Sequence, residues 1–266
     1  HDLSVERLLQ WHQWLFNEPD WTIQRIRIGQ LRGYEPMQVV SGRIDYPTVH
    51  FEAPPRDGLE QRVDEFMQWF NASRTDTLLD PLIRAGITHL WFVTLHPFDD
   101  GNGRITRTLT DLALAQMDQQ SIRLYAMSPI ILNKRKRYYE ILEATQKGDA
   151  DITAWLLWFL QALDESLEQT LQRIERTLLK STFWQTFSEV DVHEGQRKVL
   201  NRLLDGGENG FEHGISASQY QKVAKVSRAT ATRHLTDLLE KGCIEKLEGG
   251  GKNTRYQIKK SDKESI

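Results

Sequence analysis

The chain has 266 residues, 39% apolar and 27% charged, the balance of a globular protein with room for one large domain or two smaller ones. A formal net charge of −3 excludes a globally basic nucleic-acid binder and leaves open a local basic patch. The one cysteine, Cys243, excludes an internal disulfide and fits a reducing cytoplasm, no signal peptide is visible, and the longest apolar run, near 152–163, is too short to span a bilayer.

The predicted elements follow in chain order. "SVERLLQWHQWLF" (4–16) sets Val5, Leu8, Leu9, His12, Leu15 and Phe16 at helical spacing. "MQVVSGRIDYPTVHFEAPP" (37–55) holds two β-rich runs around a turn and predicts a hairpin closed by Pro54 and Pro55. An isolated hairpin is barely stable, so it must lie against something. Residues 57–72 predict a helix burying Leu59, Val63, Phe66, Met67 and Phe70. Residues 80–95 are more apolar all round and predict a buried central helix, opened by Asp80 as N-cap and Pro81 at the first helical position. Further helices are expected over 105–118, 133–149 and 152–180.

A second unit is expected from residue 189. Residues 194–207 read as a helix ending at glycines, and 216–242 as two helices broken near Val226-Ser227. A strand (243–248), a glycine-rich turn (249–253) and another strand (254–260) follow. Helix, helix–turn–helix and a two-stranded wing are the order of a winged helix. The expected fold is thus mainly α, with a first domain over 1–188, a small winged-helix domain over 189–260 and a disordered tail over 261–266.

The chemistry concentrates in "HPFDDGNGRITR", residues 96–107, a loop feeding a helix N-terminus. Such an end offers unpaired N–H groups and partial positive charge, and Gly101-Asn102-Gly103 lets an anion approach it. Arg104 and Arg107, at i and i+3, suit phosphate oxygens. Asp100 is a hard oxygen ligand suited to Mg²⁺, and His96 can accept a proton at neutral pH. A base, a metal carboxylate, an anion cradle and a phosphate clamp together describe transfer of a phosphate-containing group. The loop is not a Walker A motif, since no lysine and Ser/Thr follow the glycines.

The stretch resembles the signature of the Fic family, His-x-Phe-x-Asp/Glu-Gly-Asn-Gly-Arg-x-x-Arg, at every specified position. The resemblance covers roughly residues 3–180 and implies a Fic-type helical bundle with a β-hairpin flap. It implies transfer of AMP from ATP to a Ser, Thr or Tyr hydroxyl of a target protein, with Mg²⁺. His96 would be the general base and Asp100 the Mg²⁺ ligand; Gly101, Asn102 and Gly103 would form the anion hole, Arg104 and Arg107 would hold phosphates, and Phe98 would anchor the loop. The flap would dock an extended target segment along Thr48, Val49, His50 and Phe51. Tyr138 and Tyr139 fall where family members place an adenine neighbour, and equally suit plain helix packing. The Doc branch of the superfamily carries lysine at the position of Gly103 and phosphorylates its target, so Gly103 favours AMP transfer.

Many Fic proteins carry an inhibitory Ser/Thr-x-x-x-Glu-Gly/Asn helix. The residues four before Glu194, Glu208 and Glu248 are Val190, Leu204 and Ile244, so the pattern is absent from this sequence. The chain opens on His1 rather than methionine, and the expectation is an inhibitory helix upstream, or one supplied by a separate protein.

From Gly214 to Lys260 ten basic residues face four acidic ones, a local +6. Arg228, Thr230, Thr232 and Arg233, on a helix capped by Ser227, are candidates for a DNA major groove, with Lys252 and Arg255 on the wing. The expected partners are ATP, a hydroxyl-bearing protein target and DNA, with no membrane and with a homodimer left open. The competing readings are a nucleotide-sensing transcription regulator, and a Fic enzyme that uses another donor or removes AMP.

Overall fold

The structure is a computed structural model that describes residues 2–16, 26–43, 46–118, 126–206, 211, 213–248 and 254–259. The chain divides into two compact units, 1–170 and 171–266. The division falls inside a helix, ahead of the 188/189 boundary expected from the sequence.

The first unit runs α1 (Val5–Leu15), β1 (Gln38–Arg43), β2 (Tyr46–Glu52), α2 (Leu59–Ala72), α3 (Pro81–Leu95), α4 (Asn102–Asp118), α5 (Met127–Asn133), α6 (Arg135–Lys147) and the first part of α7 (Thr153–Thr186). α2 buries all five apolar residues of its stripe. Phe66 meets Trp91 edge-on at 5.7 Å and Phe92 at 5.4 Å, which joins α2 to α3 through aromatic contacts. α3 starts as its sequence dictates: the Asp80 carboxylate accepts from the N–H groups of Leu82 and Ile83, and Pro81 takes the first helical position. Gly86 lets α7 approach, since an added Cβ would stand 2.9 Å from Leu156 Cδ2, and its carbonyl accepts from Trp155 Nε1 at 2.9 Å. α5 was not expected from the sequence.

β1 and β2 pair antiparallel, with Val39 opposite Phe51 and Val40 opposite Val49, so His50 is the extra residue of a bulge. Among the described residues this sheet has two strands, leaving the outer edge of β2 unpaired. β2 lies against α6, which supplies the support the hairpin needs.

The second unit comprises the rest of α7, α8 (Glu194–Asp205), β3 (Ile215–Ser216), α9 (Ala217–Ala224), α10 (Arg228–Glu240), β4 (Ile244–Lys246) and β5 (Arg255–Ile258). The three strands form one antiparallel sheet in the order β3-β5-β4. Ser216 and Gln219 make a capping box at α9, and Ser227 caps α10. Val199, Leu200, Ile215, Tyr220, Leu235, Leu238 and Ile244 belong to its separate core. Among the described residues no helix is long and apolar enough to cross a membrane.

Candidate active site

α3 ends at His96, whose φ of +46° places a non-glycine residue in the left-handed region. Pro97 follows, so the helix cannot continue. The His96 ring is buried, and its Nδ1 lies 3.1 Å from the Val93 carbonyl oxygen. A carbonyl only accepts, so Nδ1 carries the proton and Nε2 keeps its lone pair. Burial pushes the His96 pKa below its usual value, against the Val93 hydrogen bond, and nearby Arg32 adds to the lowering. The ring is therefore a neutral base at neutral pH.

Three side chains, two of them from outside the motif, hold its loop. Arg32 is buried, donating through Nε to the His96 carbonyl at 2.9 Å and through Nη2 to the Pro54 carbonyl. Its backbone N–H donates to the Pro97 carbonyl at 2.8 Å. His12 on α1 accepts from the Gly29 N–H at Nδ1 (3.0 Å), so Nε2 donates to the Asp100 carbonyl (3.0 Å). Its ring stacks on Phe98 with centroids 4.0 Å apart, and Phe98 is fully buried, as a loop anchor would be. Asn102, at the first turn of α4, accepts from the Phe98 N–H (2.9 Å) and donates to the Phe98 carbonyl (2.7 Å). Its side chain thus braces the loop, leaving the backbone for any anion. Gly101 has φ +81°, and an added Cβ there would lie 3.3 Å from Phe16 Cε2.

Asp100 is exposed, its Oδ1 accepting from the Gly101 N–H at 2.6 Å and its Oδ2 paired with Arg104 at 3.3 Å. The Arg104 guanidinium also lies over the Phe16 ring, 4.8 Å from its centroid. Among the described residues no cluster of three or more His, Cys, Asp or Glu forms a metal cage. Asp100 is the accessible carboxylate that would hold Mg²⁺, an ion usually bound through one or two carboxylates plus phosphates and water.

A cavity of about 410 Å³ opens beside the loop, within the usual size of a small-molecule site. His96, Gly103 and Arg107 line one part of it, Tyr138 and Tyr139 another, and Val39 and Phe51 bring the hairpin to it. Asp100, Gly101, Asn102 and Arg104 do not line it. The Phe51 ring lies 6.0 Å from that of His96, while Val49 is exposed. Thr48 and His50 belong to β2, and their side chains lie outside the described part of the structure. Tyr138 turns its hydroxyl away to His89 Nε2 at 3.1 Å, so it combines helix packing with a place in the cavity wall. Tyr139 is half-buried beneath the Arg135 guanidinium.

In the second unit Arg228, Thr232 and Arg233 are exposed along α10. Thr230 is half-buried, its N–H and hydroxyl both meeting the Ser227 hydroxyl. Arg255, on β5, is tied to the Gly214 carbonyl at 2.9 Å. Lys252 lies outside the described residues.

In the sequence His12 is one position on an apolar stripe, and nothing local singles out Arg32, His89 or the side-chain role of Asn102. The partners of Arg32 and His12 at the loop lie 64 and 88 residues away, so no local spacing could reveal them.

The family model described as Fic/DOC family matches residues 2–114, a stretch that contains the whole motif. "Protein adenylyltransferase fic-1" of Caenorhabditis briggsae is 29% identical over 175 residues, covering 65% of this chain and 29% of the relative. "Protein adenylyltransferase Fic" of Drosophila melanogaster is 33% identical over 99 residues, 36% of this chain and 18% of the relative. The chain thus spans less than a third of these curated relatives. Among solved structures, a Fic family protein from Desulfovibrio desulfuricans G20 aligns with a TM-score of 0.52 at 21% identity, covering 99% of this chain and 70% of that one, a likeness of fold.

Proposed function

We propose that the first unit is a protein adenylyltransferase that moves AMP from ATP to a hydroxyl side chain of a target protein. The observation that carries this reading is that His96, neutral and with a basic Nε2, lines one cavity with Gly103 and Arg107 at the start of α4. The target oxygen attacks the α-phosphorus as its proton passes to His96 Nε2. The bond from the α-phosphorus to the bridging oxygen breaks, and pyrophosphate leaves with that electron pair. Arg107 and the N–H groups opening α4 stabilise the charge on the phosphates. Asp100 is the residue that would hold Mg²⁺, which when bound supplies further neutralisation of phosphate charge. The unpaired edge of β2 would align the target segment through main-chain hydrogen bonds.

The second unit reads as a winged helix that binds DNA through Arg228, Thr232 and Arg233, supported by the order of α8, α9, α10 and the antiparallel β4–β5 pair.

The test is incubation with Mg²⁺ and ATP labelled on the α-phosphate in cell extract, beside a His96→Ala variant and a γ-labelled control. Protein labelled by the α-label alone, and only with His96 present, is the expected result. Label from the γ-phosphate would mean phosphorylation. No labelling, together with ATP-dependent release of DNA, would favour a nucleotide-sensing regulator.

A further inference from the structure

Behind the cavity lies a histidine that the proposed chemistry does not use. His89, on α3, is completely buried, with its ring 5.3 Å from Trp155 and 6.0 Å from Phe159. Its Nδ1 is 3.0 Å from Thr110 Oγ1, and its Nε2 is 3.1 Å from the Tyr138 hydroxyl. The direction of each proton in this series of hydrogen bonds follows from counting donors. Thr110 donates its one hydroxyl proton to the Thr106 carbonyl at 2.8 Å, so towards His89 its oxygen can only accept. Nδ1 must then carry the ring proton. A neutral imidazole has one N–H, so Nε2 accepts, and the Tyr138 O–H points inward to it. At the other end Thr106 donates its hydroxyl to the Asn102 carbonyl at 2.8 Å, and Asn102 holds the backbone of Phe98.

The run Tyr138, His89, Thr110, Thr106, Asn102 therefore joins the tyrosine wall of the cavity to the start of α4. It spans three helices, α6, α3 and α4, and its part along α4 consists of two hydroxyl-to-carbonyl bonds joined through the covalent body of Thr106.

We propose that His89 is a positioning residue for the nucleotide: locked as the Nδ1–H tautomer by Thr110, it pins Tyr138 so that the ring, not the hydroxyl, is presented to the cavity. The proposal rests on the nucleotide-binding reading of the cavity. It predicts that the phenol is not a hydrogen-bond partner of the bound nucleotide, and that loosening it from behind weakens binding although neither His89 nor Thr110 lines the cavity.

The experiment uses the full chain. The ring nitrogens of His89 are followed by nitrogen-15 NMR, and ATP affinity by calorimetry, in wild type, Thr110→Val and Tyr138→Phe. Val63→Ala in the core of α2 is the control for simple loss of stability. The expected result is an Nδ1–H signal in wild type, a shift of the proton to Nε2 in Thr110→Val, and ATP binding weakened about fivefold to tenfold in both network variants. Val63→Ala should keep the wild-type affinity. A wild-type His89 in the other tautomer overturns the proposal. The expected tautomer with wild-type ATP affinity in both variants overturns the positioning role and leaves the nucleotide reading standing. A wild-type chain that binds no ATP removes that reading, and the role built on it, together.

Discussion

The Arg32 guanidinium donates through Nε to the His96 carbonyl oxygen at 2.9 Å, across 64 residues of sequence. It is a buried cation with carbonyl oxygens for partners, and burial is the main cause of its lowered pKa. Replacing Arg32 with methionine keeps much of the packing and strands the carbonyls of His96 and Pro54. The expected loss is about 3 kcal/mol, from two charge-assisted hydrogen bonds and the desolvated acceptors. Seven of the eight tryptophans lie in residues 1–170, so tryptophan fluorescence in urea reports this unit. Labelling should fall further than ATP affinity, because the displaced group is the proposed base.

The backbone at His96 is strained for any residue with a Cβ. His96→Ala and His96→Gly should both abolish transfer. The glycine variant should be the more stable of the two by about 1 kcal/mol. Equal stabilities would show that the left-handed turn is not retained once the imidazole is gone.

Asn102 both accepts from and donates to the backbone of Phe98. Asn102→Asp keeps the acceptor and places a carboxylate oxygen against the Phe98 carbonyl. Asn102→Ala removes both bonds. Each variant should lose about 2 kcal/mol in urea unfolding. ATP binding should fall more in the aspartate variant, whose charge stands at the proposed anion cradle.

Burial holds the His89 pKa at about 3, below its ordinary value. Between pH 6.5 and about 3 the unfolded chain binds a proton there that the folded chain does not. Stability from this residue is therefore fully present above pH 6.5 and declines as pH falls, at about 1.4 kcal/mol per pH unit. His89→Gln should flatten that part of the stability profile. Catalysis should respond to His96 instead. Its pKa is also lowered by burial, so the acid-side decline of transfer should lie below the pH range of an exposed histidine.

In the second unit, if the proposed DNA contact holds, Arg228→Ala and Arg233→Ala should weaken DNA binding. Specificity should relax for a side chain that reads base edges in the major groove, and the loss should be uniform for one that holds phosphate. Removing one phosphate-binding cation reduces the slope of log affinity against log salt by about 1, so titrations at several salt concentrations check the assignment. Unchanged affinity and slope would overturn the proposed DNA contact through α10.

What was legible in the sequence was what is local. Asp80-Pro81 announces the start of α3, and the stripe of α2 buries the residues its spacing selects. The motif names its own loop because glycine, asparagine and arginine act there within one turn. β3 escaped notice because two residues become a strand only by pairing with β5, about 40 positions away. α5 has seven residues and no side-chain cap. The sequence sets His12 among the apolar positions of α1, and nothing local shows that it is buried between a Gly29 donor and an Asp100 acceptor. Composition offers no sign of such long-range pairing.

The open edge of β2 has one more consequence. Main-chain N–H and C=O groups read no side chain, so an edge of this kind accepts any extended polypeptide. On the proposed reading, choice among substrates becomes a matter of depth rather than of pattern. A hydroxyl would qualify if its stem were long enough to pass Phe51, whose ring lies 6.0 Å from that of His96, while its backbone stayed on the rail.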